Sequence, residues 1–535
     1  MIMENVVDKN KIDLTNIPKE KFAFTSADKP LHDKCPETKP VGYFKDAFRR
    51  FSKNKGSVVA AYIILLLLLF AIFAPIFSCY TVAYNDMDFN NCYPKSHLSE
   101  ALDWNFWDGC VDKEYSETQF LIYYAMGVET GHYALKKQTY EKASATSNYK
   151  VRLDTYHSSG NKFMNVTAEQ YALIQKYQDE TGIQVIYPIT EKRKRPAASV
   201  DANDANFWFE TTSMGSKTTV KYTKNTDGTF SFNNIYREYD VTKVAGDGSY
   251  RDGYYSKVFV EGETAENRKY DYAIKNDTGY EIRVNCYEYY IFNHTYVLKD
   301  GITEPLFLFG TNHAGKDIFT CLGGGARLSF VIAIVVSAVN LFIGTIYGAI
   351  EGYYGGAADM IMERISDIIS AVPFMIVITL LQLHMNSSPQ ILILFIAFFL
   401  TGWIGMASRV RMQFYRFKNQ EYVLAARTLG ARDARIMFKH IFPNAIGTLV
   451  TSSVLVIPGM IFSESSLSYL GIINLDTGNL TSVGTLLAGV SGYMHEYPYM
   501  MVFPSVFISL LMLSFNLFGN GLRDAFNPSL RGAEE

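Results

Sequence analysis

Apolar residues gather into long runs near both ends of the chain and thin out in its middle. Residues 57–77 contain 63–73 without one polar side chain, long enough as a helix to cross the ~30 Å hydrocarbon core of a bilayer. Similar runs predict spans at about 328–349, 361–383, 389–406, 445–462 and 499–518, six in all. The stretch 79–305 is polar and tyrosine-rich, too long to stay structureless in a compact assembly. Its pattern predicts an α+β domain. Residues 165–182 read as one helix, with Thr167 and Gln170 at capping-box spacing and Gly182 as the stop. Residues 218–222, 229–233, 254–260 and 280–297 alternate, or favour β-branched and aromatic residues, with Asp227-Gly228 as a hairpin turn. The expected fold class is an all-α polytopic membrane domain with this α+β domain inserted.

Charge orients the spans, because short basic loops stay in the cytoplasm. The 407–444 loop carries Arg409, Arg411, Arg416, Lys418, Arg427, Arg432, Arg435 and Lys439, whereas 463–498 has no Lys or Arg. Arg49, Arg50, Lys53 and Lys55 precede the first span. Six spans put both termini on one side, so both are expected in the cytoplasm and 79–305 outside the cell. The net charge of -3 argues against a nucleic-acid partner. The basic residues orient the chain in its lipid bilayer and can touch headgroups.

The 407–444 loop contains EYVLAARTLGARDARIMFKHIFPN, residues 421–444, between two predicted spans. Ala425 and Ala426 keep a helical surface flat, Gly430 permits a left-handed turn that ends a short helix, and Pro443 suits the first turn of the next. Such a helix can seat in a groove of another protein. The segment resembles the coupling loop of ABC importer permeases, with Leu424 where that family often has Glu, and its ending is closest to permeases of dipeptide and oligopeptide importers. Residues 310–330, 351–373, 463–472 and 516–528 are similar to further segments of the same class. Residues 43–55 look like its amphipathic elbow, with Phe44, Ala47, Phe48 and Phe51 on one face; a plain amphipathic anchor fits that piece equally well.

The resemblance implies the type I ABC importer permease fold. Its organisation would be a cytoplasmic N-terminal segment (1–56), a first span (57–78), the extracellular insertion (79–305), a permease core (306–522) and a cytoplasmic tail (523–535). It implies a non-catalytic cell-membrane subunit that pairs with a second permease and two ATP-binding cassette subunits, and that receives peptide from an extracellular binding protein. Glu421, Tyr422, Ala425, Ala426, Arg427, Gly430 and Pro443 would carry the coupling to the ATPases. An importer of nickel or another small solute shares these motifs. Two rivals from other classes are a membrane-anchored exterior interaction module and a channel or ion-coupled carrier, the latter disfavoured because no acid is expected deep in a span.

Candidate chemistry is sparse. Gly310 to Asp317 follows the P-loop pattern until its last position, where Asp317 replaces the Ser or Thr hydroxyl that would bind magnesium. No HExxH or CxxC occurs and the nine His are scattered, so no catalytic residue, cofactor or metal is expected. Polar residues in spans are functional candidates by default. Gln382, Thr401, Ser452, Ser453 and Asn516 could line a translocation path or bind neighbouring helices. Glu363, Arg364 and Asp367 read first as a structural ion cluster, and Glu464 as fixing a turn beyond the fifth span through backbone N–H groups. Pro373 and Pro458 are candidate kinks. Cys79, Cys92, Cys110 and Cys286 fall in or beside the exterior region, where disulfides persist. Cys92 with Cys110 and Cys79 with Cys286 is the favoured pairing, against free buried thiols. Trp104, Phe106 and Trp107 are either core or a contact surface.

Overall fold

The computed structural model describes residues 43–102, 104–142, 148–187, 209–211, 218–220, 223–226, 229–231, 273–385 and 387–526. Helix α1 (Tyr43–Lys53) buries Ala47 and Phe51 against Phe518 and Ala525, while Phe48 is exposed. The side chain of Phe44 lies outside the described residues. Asn54 then caps α2 (Lys55–Phe77) by accepting from the Ser57 amide at 3.3 Å. One face of α2, with Ile64, Leu67 and Ala71, packs into the body of the protein, and Leu65, Leu66, Leu69 and Ile72 face outward.

Two small sheets and two further strand pairs build the described part of the insertion. After the short helix α3 (His97–Ala101), strands β1 (Cys110–Tyr115), β2 (Leu135–Lys142) and β3 (Tyr149–Asp154) form an antiparallel sheet in the order β1-β3-β2. Helix α4 (Glu117–Thr130) covers it, packing Phe120, Leu121 and Ala125 on Tyr149, Val151 and Leu153. The second unit begins with β4 (Asn161–Val166), α5 (Ala168–Thr181) and β5 (Ile186–Tyr187). The paired β6 (Phe209–Thr211) and β7 (Thr218–Val220) and the paired β8 (Thr223–Lys224) and β9 (Phe230–Ser231) lie with the first unit instead, β7 against α4 and Phe230 against Phe120 and Tyr124. Strands β10 (Ala273–Asn276) and β11 (Gly279–Asn285) complete the second unit. Its main sheet runs β10-β11-β4, with β5 also against β11, and α5 buries Tyr171, Ile174 and Tyr177 over Ile282 and Val284. The expected capping box of α5 is present, and Gly182 ends the helix at φ 72°. Arg283 and Glu129 tie the two units through a buried two-nitrogen fork at 2.7 and 2.9 Å.

Two expectations change here. The strand expected over 280–297 stops at Asn285, whose side chain accepts from the amides of Tyr287 and Glu288 at 3.1 and 3.2 Å and starts α6 (Cys286–Phe292). A local cap therefore outweighs the β preference of the aromatic run. The disulfides are not formed: Cys79, Cys92, Cys110 and Cys286 are all free. Three of the thiols instead donate to different carbonyls, Cys92 to Thr155, Cys110 to Asp108 and Cys286 to Ser159. The expected strand 254–260 and the turn Asp227-Gly228 lie outside the described residues.

The helical part follows as α7 (Ile318–Tyr354), α8 (Gly356–Ser370), α9 (Phe374–His384), α10 (Gln390–Thr401), α11 (Ile404–Phe417), α12 (Glu421–Thr428), α13 (Asp433–Arg435), α14 (Phe442–Tyr469), α15 (Val483–Val490) and α16 (Tyr499–Phe526). Helix α13 runs through a π-helical stretch, Ile436–Ile441, into α14. Among the described residues five helices are long and apolar enough to cross a membrane: Lys55–Phe77, Ile318–Tyr354, Gln390–Phe417, Asp433–Tyr469 and Tyr499–Phe526. The run expected as a span at 361–383 is α8 and α9, bent by 70° at the expected kink, Pro373. Pro373 sits at the break with ψ 129°, since a proline lacks the amide to continue the ladder.

Helices α7 and α11 touch backbone to backbone. A Cβ on Gly344, Gly348 or Gly352 would lie 2.8, 2.2 or 2.7 Å from the carbonyl oxygens of Trp403, Ala407 and Arg411. Glycine at every fourth residue makes a groove on α7 that admits the other main chain, a way of joining helices where lipid removes the hydrophobic drive.

Candidate functional site

The segment between α11 and α14 hangs on the end of α7. In α12, Val423 is buried with Ile436, Met437 and Ile441, in a cluster that also holds Tyr353 of α7. The Arg427 guanidinium lies over the Tyr353 ring and donates to its hydroxyl at 3.4 Å, and that hydroxyl donates to Asp433 at 2.6 Å. Tyr422 accepts from the Asn444 amide at 3.3 Å, joining the start of α12 to the start of α14. Burial holds the Tyr422 phenol above its usual range. These contacts make α12 part of one body with α7 and α14.

The opposite side of α12 is open. Glu421, Leu424, Ala425 and Thr428 are exposed, and Leu429 is 87% exposed. Gly430 follows with φ 78° and open space where a Cβ would sit, as its expected turn requires. Pro443 stands at the start of α14. The two alanines part company, however: Ala425 faces out, whereas Ala426 is buried toward the protein, because adjacent helical residues point about 100° apart. Leu429 was not singled out in the sequence. An apolar residue beside a helix-ending Gly was the available signal, and it reads equally as a buried helix end.

A second constellation, centred on Arg411 of α11, stands just before α12 in the chain. Its Nε and Nη2 donate to Asp359 at 2.6 and 2.9 Å, and Nη1 and Nη2 donate to Glu363 at 2.8 and 2.9 Å, both acids lying on α8. Glu351 of α7 is 3.6 Å away, and Lys418 donates to the Gly352 carbonyl at 3.0 Å. The fork matches two carboxylates at once, as a planar guanidinium allows. Of the expected cluster, Arg364 pairs with Asp367 at 3.0 Å on an exposed surface, while Glu363 turns to Arg411. Asp359, four residues before Glu363 on the same helix, was not singled out in the sequence, nor was their shared partner, 52 residues beyond Asp359 and 48 beyond Glu363.

Glu464 corrects two expectations. It lies within α14 rather than beyond it, is 1% exposed, and accepts from the hydroxyls of Ser329 and Ser468 at 2.9 and 3.1 Å instead of from backbone amides. A buried acid therefore does bridge α7 and α14. The neutral candidates are dispersed: Gln382 on α9, Thr401 on α10, Ser452 and Ser453 on α14, and exposed Asn516 on α16. Thr401 and Ser453 donate to carbonyls one turn back in their own helices. None of the five lines the cavity of about 450 Å³ bounded by Asn312, His313, Lys316, Asp476, Thr481 and Thr485.

The P-loop-like segment is no phosphate cradle. The Asn312 carboxamide oxygen accepts from the amides of Ala314 and Lys316 at 3.0 and 2.9 Å, filling the place of an anion. Asp317 is the cap of α7, accepting from the Thr320 amide at 2.9 Å, and burial raises its carboxyl to about 6.

Residues 340–532 match the family described as binding-protein-dependent transport system inner membrane component, and residues 42–94 match the N-terminal transmembrane domain of oligopeptide transport permease C. The oligopeptide transport system permease protein OppC of Bacillus subtilis is 44% identical over 223 residues, 42% of this chain and 72% of that protein. The dipeptide transport system permease protein DppC of the same organism is 39% identical over 224 residues, 42% of this chain and 69% of that protein. OppC of Haemophilus influenzae is 38% identical over 228 residues, 43% of this chain and 72% of its own length.

Proposed function

Given that this chain belongs to the oligopeptide and dipeptide ABC transport permeases, a non-catalytic family of multi-pass membrane proteins, we propose that it forms one half of the membrane pathway of an ATP-driven importer of oligopeptides or dipeptides. A second permease completes the pathway, two ATP-binding cassette subunits drive it, and an extracellular binding protein delivers the peptide. The chain crosses the membrane six times, the bent α8 and α9 pair counting as one span, with both termini in the cytoplasm and the α+β insertion outside.

The observation that carries the reading is the open ridge of Leu424, Ala425, Thr428 and Leu429 on a helix whose other face is keyed into α7 and α14. A partner's groove that grips the ridge moves those two helices with it. ATP shifts the access equilibrium only to the extent that the ATPase pair binds one state more tightly than the other. The Arg411 fork supports the role by tying α11 to α8, so that force on α12 reaches the bent span.

The test is thiol chemistry in cells on Leu429→Cys introduced together with Cys35→Ser and Cys79→Ser, so that the new thiol carries the signal. A membrane-impermeant maleimide leaves it unlabelled until the membrane is opened, and a short crosslinker joins it to the ATPase. Labelling from outside in intact cells refutes the reading.

A further inference from the structure

We propose that residues 97–102 and 104–107 form a rigid hook that seats the insertion in the headgroup–acyl boundary of the bilayer. Four large apolar side chains crowd this short segment and are exposed: Leu98 (63%), Leu102 (49%), Trp104 (57%) and Phe106 (67%). An isolated exposed Leu needs no explanation, but such a concentration does.

The segment is held in shape by polar groups that leave its apolar ones outside. The Trp107 carbonyl accepts from the Ser96 amide at 2.9 Å and from the Ser99 hydroxyl, and the Trp104 amide donates to the Ser99 carbonyl at 3.0 Å. Arg152 of β3 donates to the Asn105 carbonyl at 2.9 Å and grips Asp108 at 2.7 and 3.2 Å. Trp107 has φ 63°, an uncommon setting for a bulky residue, sustained because everything around it is tied.

Continuity identifies what covers it. The Trp107 ring packs 5.8 Å from Phe503 and 6.4 Å from Phe309, with Phe106 edge-on to it at 4.8 Å. Phe503 lies in the second turn of α16, a helix apolar enough to span, whose exposed stripe of Val502, Val506, Leu510, Leu513 and Leu517 begins beside it. The hook therefore stands level with the end of a span, where aromatic rings with one polar atom are at home. Residues 96–109 contain acids but no Lys or Arg, so the attraction is apolar and independent of anionic lipid.

The full chain, and its Trp104→Phe variant, would be placed in nanodiscs of phosphatidylcholine brominated either near the headgroup end or near the methyl end of the acyl chain. The emission lost on substitution, assigned to Trp104, should be quenched roughly twofold more by the shallow bromines than by the deep ones. Aqueous iodide should leave it largely intact. Phe106→Asp should open it to iodide and red-shift it while the helical circular dichroism stays unchanged. Iodide quenching with no effect of either lipid overturns the proposal, as does protection that appears only when a second permease or a solute-binding protein is added.

Discussion

Arg411 donates from two nitrogens to Asp359, at 2.6 and 2.9 Å, across the gap between α11 and α8. The same guanidinium holds Glu363, so one side chain keeps two acids of the bent pair α8 and α9 against the helix that leads to α12.

Arg411→Met should leave those acids without their shared partner and cost about 1–3 kcal/mol, the part-exposed site keeping the figure below that of a buried pair. Arg411→Lys restores the charge without the fork and should recover only part of the loss. Fluorescence-monitored thermal unfolding, with peptide uptake beside it, measures both.

Leu429→Asp and Ala425→Trp change only the open ridge, so stability should shift by no more than about 0.5 kcal/mol. Uptake of a labelled peptide should fall to background at normal membrane levels of the protein. Ala426→Trp differs because Ala426 is buried, and it should lower the thermal midpoint as well.

Gly348→Leu places side-chain carbon where the Ala407 carbonyl stands, 2.2 Å from the Cβ position. The two main chains must separate, and a loss of about 3 kcal/mol or more is expected, read as failure to accumulate in the membrane. Gly459→Ala, which meets nothing within 4 Å, is the matched control and should accumulate normally.

Asp317 has a folded-state carboxyl raised by burial to about 6, above its ordinary 3.8, so the folded protein holds that proton more tightly than the unfolded chain. Its contribution is fully present below pH 4 and is lost as pH rises through 6, on the order of 3 kcal/mol over that window. The thermal midpoint of the wild type minus that of Asp317→Asn, which cannot titrate, should fall between pH 4 and pH 6.5. A flat difference sinks the assignment.

Thiol accessibility should follow burial. Cys79 is exposed and should alkylate without reductant in the folded protein, whereas Cys92 and Cys286 should react only after denaturation. Burial pushes the Cys286 thiol up to about 12, which slows it further.

The sequence by itself determined the apolar runs, the capping box at Thr167 and Gln170, the left-handed Gly430 and the family resemblance, because each depends on residues within one or two helical turns. It also marked out the short helix α12 and its end at Gly430, since an Ala-Ala and Gly pattern between two apolar runs is local. Only the tertiary structure decided that Ala426 faces in while Leu429 faces out, that Arg411 meets Asp359 and Glu363, that Glu464 takes serine hydroxyls from two helices, and that four thiols stay apart. Those outcomes depend on which helix lies against which. A local signal carries no record of a neighbour tens to hundreds of residues away, and the glycine groove of α7 shows its purpose only when α11 lies in it.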